Sequence, residues 1–247
     1  MQVSANSMNK EDIDIALKSV AKKTIFFAHQ SVGRNILAGI QDVSLEHKVV
    51  INVFPVEGAL SAKTAGIYQI LIGKNGHPES KIDQFYNVLS RANKKPDIAF
   101  LKLCFVDVTA KTDINSLFVY YKKIFNKIRA EYPEIEIVHF TVPLKTNQTS
   151  WKTTIKSLLG KNNWEFADNI KRNQFNRLLL AEYRGKEPVF DIAGIESTYD
   201  NGQRETFVED DIQYFSLIPD YSSDGGHLNG DGRVLVASKL LLFLYQL

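Results

Sequence analysis

The chain has 247 residues, 44% hydrophobic, 11% aromatic and 23% charged, enough to bury about three quarters of its unfolded surface in one or two cores. Thirty Lys and Arg against 28 Asp and Glu leave a formal charge of +2 with His neutral. The charges are interspersed, and no basic run tracks a phosphate backbone, which argues against nucleic acid as a partner.

Cys104 is the single cysteine, which excludes an intramolecular disulfide framework and any multi-cysteine zinc site. The apolar patches at 98–106 and 234–245 fall short of a membrane span, which needs about 18 to 20 uninterrupted apolar residues. The opening segment MQVSANSMNK lacks the basic and apolar regions of a signal peptide. The expectation is a cytoplasmic protein, or an exported or periplasmic one whose signal has been removed.

In chain order, a helix pattern over Glu11 to Lys22 precedes a first strand, Thr24 to Ala28, and a second helix, Val32 to Val43. A strand at Val49 to Phe54 leads through an irregular stretch, Glu57 to Gly76, to a helix at Pro78 to Asn93. Strands at Asp97 to Leu103, Ile135 to Phe140 and Pro188 to Asp191 then alternate with helices at Ile114 to Glu131, Asn163 to Arg184 and Gly232 to Leu244. Short, nearly continuous apolar runs are the signature of strands buried on both faces. Alternation with helices predicts one α/β domain, a three-layer sandwich on a five-stranded parallel sheet, with residues 24–247 forming the domain and 1–23 an N-terminal helical extension. The stripe of Phe118, Tyr120, Tyr121 and Phe125 reads as a core face. The second irregular stretch, Gly194 to Gly230, holds an acidic run, Glu209-Asp210-Asp211, among Tyr199, Phe207, Tyr214 and Phe215; it reads as a wall or lid for a site, or as a surface excursion packed on the sheet edge.

In an open parallel sheet the ligand sits beyond the carboxyl ends of the strands. The first strand runs into His29-Gln30-Ser31-Val32-Gly33. A serine there either caps the helix that follows or presents its hydroxyl beside unsatisfied helix N–H groups suited to an oxyanion. Near the other end, Asp224 stands three residues before His227 in a glycine-containing loop ahead of the last helix. That spacing lets the carboxylate fix the imidazole tautomer and leave the other nitrogen free to accept a hydroxyl proton. A lone D-x-x-H is more often a turn with a solvated histidine, but together with a serine after the first strand it is a much stronger constellation. The five histidines show no metal-ligand spacing, so no metal or cofactor is expected. The stretch Gly66 to Asn75 does not match a phosphate-binding loop.

Three blocks carry a resemblance to a known family: TIFFAHQSVG around Ser31, PDIAFLKLCFVD, and DGGHLNGDG around His227. Over about Thr24 to Leu244 the chain resembles the SGNH hydrolases, the GDSL-like lipases and esterases. The resemblance implies a flavodoxin-like fold and a serine hydrolase in which Ser31 attacks, His227 is general base and then acid, and Asp224 orients it. It implies a bacterial-type esterase whose substrate is an acyl or acetyl ester, with a carbohydrate as the alcohol.

Two blocks depart from the family pattern. The family's Gly-Asp-Ser reads His29-Gln30-Ser31 here, so His29 either shapes the pocket or packs under it. The family's Gly-x-Asn-Asp reads Cys104-Phe105-Val106-Asp107, and valine cannot make the hydrogen bond to an oxyanion that the asparagine supplies. Gly58 resembles the second-block glycine that lends a backbone N–H. Asn75 is a candidate replacement donor, or simply a turn residue between Gly73 and Gly76, and Lys74 or Lys102 could add positive charge. Cys104 reads as a small buried hydrophobe. Two further function classes stay open: the same fold with a decayed site, binding a glycan or peptidoglycan fragment without turnover, and a metal-dependent phosphoesterase.

Overall fold

The computed structural model describes residues 9–147 and 164–247; the segment MQVSANSM and Asn163, where the fifth helix was expected to begin, lie outside them. The chain contributes β1 (Thr24–His29), β2 (Val53–Pro55), β3 (Gly66–Leu71), β4 (Ile98–Leu101), β5 (Glu136–Phe140) and β6 (Val189–Phe190) to one sheet. Its order is β2-β3-β1-β4-β5-β6, and every neighbouring pair is parallel. Every residue of β1 is buried, as a central strand covered on both faces requires.

Side chains alternate across β1. Ile25 and Phe27 face a core shared with α1 (Lys10–Val20), α2 (Ser31–Glu46) and α7 (Gly230–Tyr245). Phe26 and Ala28 face the opposite core with α3 (Pro78–Ser90), α4 (Ile114–Glu131) and α5 (Trp164–Tyr183). Ile13, Ala16, Leu17 and Val20 of α1 lie in the first core. Phe118, Tyr121 and Phe125 of α4 fill the second, and Tyr120 at the boundary donates its hydroxyl to Asp83. This is the α/β sandwich that the alternation of apolar runs and helical periods predicts.

The sheet has six strands rather than five, and the addition is β3, inside the stretch read as irregular. Its sequence, GIYQIL, places Gln69 in mid-strand and half-buries three of its six residues, so it lacks the continuous apolar run that marks the other strands. The strand expected over Val49 to Phe54 pairs only at Val53–Pro55 and only on one side, as the sheet edge. The other irregular stretch contains a helical turn, α6 (Ile192–Glu196), and an antiparallel hairpin of β7 (Thr206–Glu209) and β8 (Ile212–Phe215). Asp210 and Asp211 make the two-residue hairpin turn at φ 49° and 59°, a conformation that Asp tolerates better than most side chains. The hairpin packs on α5, where Asn173 both donates to the Phe215 carbonyl and accepts from its N–H.

Candidate active site

The Ser31 turn is shaped by the two residues before it, His29 and Gln30. The N-cap of α2 is Gln30, not Ser31, and its side chain makes no capping bond. Instead, Gln30 Nε2 donates to the carbonyls of Ile72 (2.9 Å) and Gly73 (3.3 Å), in the loop after β3. Ser31 is therefore the first helical residue, half-buried, with its hydroxyl uncommitted among the described residues and beside the open N–H groups of the first turn. Beneath it, His29 is fully buried against Phe27, and burial lowers its pKa to about 4. Its neutral ring donates from Nδ1 to the Gln30 carbonyl at 2.9 Å and meets the Gln69 amide at 3.2 Å through Nε2. Gly33 lies on that ring: a Cβ at this position would stand 2.3 Å from His29 Cγ. His29 thus packs under the serine turn.

Asp224 and His227 are brought together. The carboxylate grips His227 Nδ1 at 2.6 Å through Oδ2, while Oδ1 accepts from the N–H groups of His227 (2.7 Å) and Gly226 (2.9 Å). The His227 N–H and the imidazole together hold Asp224 well below the usual carboxylate range. Ser222 Oγ donates to the His227 carbonyl at 2.6 Å, closing the loop on itself. With Nδ1 bound, Nε2 is the imidazole atom left for a substrate or nucleophile. Phe105 meets the imidazole edge-on, ring centroids 5.4 Å apart. It sits in the turn Phe105–Asp107 after β4, the strand beside β1, so His227 and Ser31 stand at the same end of neighbouring strands. No hydrogen bond joins Ser31 Oγ to the imidazole in this structure.

The remaining predicted residues are distributed unevenly. Gly58 follows edge strand β2, two strands from β1, and is exposed, with nothing within 4 Å of the place its Cβ would take. The loop beyond β1's actual neighbour carries Gly73, Lys74 and Asn75. Gly73, at φ +60°, lets that loop lie on the backbone of Lys81. Lys74 is exposed, and its N–H donates to Ser80 Oγ at 3.2 Å. Asn75 is exposed, and its Oδ1 accepts from Lys81 Nζ at 2.8 Å. Val106 is 36% exposed at the rim.

Lys81, Arg172 and Glu196 were not singled out from the sequence. Lys81 and Asp107 form an ion pair with both side chains fully enclosed. Arg172, also buried, donates from Nε to the Phe105 carbonyl and anchors that turn from α5. Lys102, a candidate source of positive charge from the sequence, is buried and donates from Nζ to the Leu103 carbonyl (3.2 Å) and to Cys104 Sγ (3.8 Å). Glu196 is buried on α6 and accepts from the Leu144 N–H. One signal was available: Lys81 stands on the stripe formed with Pro78, Ile82, Phe85 and Leu89, and a lysine on an apolar stripe needs a buried partner. Among the described residues, no group of three His, Cys, Asp or Glu side chains could hold a metal ion.

No family model matches the chain, and no curated sequence matches it either. Solved structures do. The chain is similar to a protein described as a platelet activating factor from Streptococcus pneumonia, at 17% identity and a TM-score of 0.50, covering 95% of this chain and 92% of that one. It is also similar to an acetyl xylan esterase (15% identity, TM-score 0.49, 87% and 96% covered) and to a lipolytic protein of the G-D-S-L family from Desulfitobacterium hafniense (10% identity, TM-score 0.46, 89% and 99% covered). The pneumococcal match spans both chains almost whole and is a likeness of fold.

Proposed function

We propose that the chain is a serine esterase of the SGNH type with Ser31 as nucleophile, His227 as general base and Asp224 as the acid that orients it. The observation that carries this reading is the Asp224–His227 pair, a carboxylate locked by two backbone N–H groups and bound to one imidazole nitrogen. Ser31 Oγ attacks the ester carbonyl carbon as its proton passes to His227 Nε2. The bond to the alcohol oxygen breaks as that proton is handed to the leaving group. Water then attacks the acyl-serine in the same way, releasing the acid and restoring the hydroxyl. The open N–H of Ser31 at the α2 N-terminus faces the developing oxyanion, and Asn75 serves as the side-chain donor that Val106 cannot be. The expected substrate is an acyl or acetyl ester on a carbohydrate.

Val106 favours a second reading, a binding module that has lost turnover, because a missing oxyanion donor costs about 100- to 1000-fold in rate. Labelling with a fluorophosphonate separates the two. The esterase reading expects stoichiometric labelling of the wild type, its abolition in Ser31→Ala and strong slowing in Asp224→Asn, alongside hydrolysis of acetyl esters. A folded wild type that neither labels nor hydrolyses them overturns the esterase reading, and binding of a glycan fragment by that protein would then support the binding module.

A further inference from the structure

Asn75 is exposed, yet its orientation is fixed from below by groups that solvent does not reach. Lys81 Nζ donates to Asn75 Oδ1 (2.8 Å), Asp107 Oδ1 (2.9 Å) and Asp107 Oδ2 (2.6 Å). An ammonium has three hydrogens to donate and no lone pair, so all three are matched. The Asn75 atom facing it must be the carbonyl oxygen, which turns the NH2 end away from the pair. Asp107 is equally committed: Oδ1 also accepts from the Gly76 N–H (2.9 Å) and Oδ2 from the Cys104 N–H (2.6 Å). An enclosed ion pair is costly to desolvate unless every such bond is made, and here every one is.

We propose that the Lys81–Asp107 pair is a positioning device that presents the Asn75 amide NH2 to the oxyanion, replacing the donor absent at Val106. The proposal deepens the esterase reading and rests on it. Two tethers locate the loop. Gln30, immediately before Ser31, holds the carbonyls of Ile72 and Gly73, and Asp107, immediately after Val106, holds Gly76. Asn75 therefore lies between a bond to the nucleophile's turn and a bond to the turn that lost its asparagine. The ammonium on its carbonyl oxygen also polarises the amide and strengthens NH2 as a donor. Lys81 and Asp107 touch no substrate in this scheme; they act through Asn75.

The test measures hydrolysis of 4-nitrophenyl acetate and the rate of Ser31 labelling by a fluorophosphonate. Asn75→Ala is expected to lower kcat by about 100-fold with little change in KM, because the bond is made mainly in the transition state. Lys81→Met, or Lys81→Met with Asp107→Asn so that no lone charge stays buried, is expected to lower kcat by about 10-fold or more. Adding either to Asn75→Ala should cost nothing further. Asn75→Asp is the arm that needs no change at Lys81: it keeps the ammonium contact but turns an oxygen outward, and should lose more kcat than Asn75→Ala. Additive losses, intact kcat in the Lys81 variants beside an impaired Asn75→Ala, or an Asn75→Asp no worse than Asn75→Ala would overturn the device while leaving Asn75 a donor. Full activity in Asn75→Ala removes the donor and the device together. A wild type that neither hydrolyses nor labels fails the esterase reading itself, and the device with it.

Discussion

Glu196 is the residue whose surroundings most alter its chemistry. Enclosed on α6, it has its carboxyl pushed by burial up to about 8, against an ordinary 4.5, although the Leu144 N–H and the Lys102 charge pull the other way. Between those two values the folded protein holds a proton that the unfolded chain has released. Stability therefore falls as pH rises through that window. Lys102, whose pKa burial pulls down, acts with the opposite sign, since the folded state sheds its proton first. The difference in slope between wild type and Glu196→Gln isolates the carboxyl. Denaturant unfolding from pH 5 to 8 should show wild type losing stability relative to Glu196→Gln by about 1.4 kcal/mol per pH unit at most, and parallel profiles would mean that the folded carboxyl titrates normally.

The residues proposed to carry the chemistry are legible because each has a local signature: Ser31 at a strand-to-helix boundary, Asp224 and His227 three apart beside glycines. Ser31 could be read either as cap or as exposed hydroxyl, and only the side chain of Gln30 decides, since it leaves the helix end to hold Ile72. Lys81 and Asp107 were not legible as a pair. Twenty-six residues separate them, and no spacing rule joins a position on α3 to one after β4.

At the scale of elements, α2 and α7 are the pair that holds the serine side of the candidate site to the histidine side, for Ser31 opens α2 and His227 stands three residues before α7. They cross at Gly39, where a Cβ would stand 2.2 Å from the Arg233 carbonyl oxygen. Backbone on both sides leaves nothing flexible to yield. Gly39→Ala should therefore destabilise the protein by about 1–3 kcal/mol, despite the better helix propensity of alanine. In a thermal melt that amounts to a fall of several degrees in Tm, and an unchanged or raised Tm would show that the helices can separate cheaply. The helices themselves were readable from periodicity, and Ile114–Glu131 matches to the residue. β3 was not, because its Gln69 is a polar partner for His29 across the strand pair and breaks the apolar run that periodicity seeks. The strand beside β1 leads to Gly73, whereas Gly58 lies on the loop after the edge strand.

At the scale of the whole molecule, the six strands of the main sheet point the same way, and the loops leaving β1, β3 and β4 meet at one end of that sheet. Those exits carry Ser31, the Gly73–Gly76 loop and the Phe105–Asp107 turn, so the site is assembled from segments far apart in sequence. The alternation of elements announced the architecture, whereas strand order had no local signal, since pairing depends on contacts between distant segments. Cys104 belongs to this gathering point, wholly enclosed directly before the turn. As the only thiol in the chain, it makes the protein its own gauge of opening. A disulfide reagent should leave the native protein almost unmodified and titrate one thiol per chain after denaturation, with the native rate set by how often the sheet end opens. Reaction of the native thiol as fast as in the unfolded chain would mean that this end of the sheet stands open in solution.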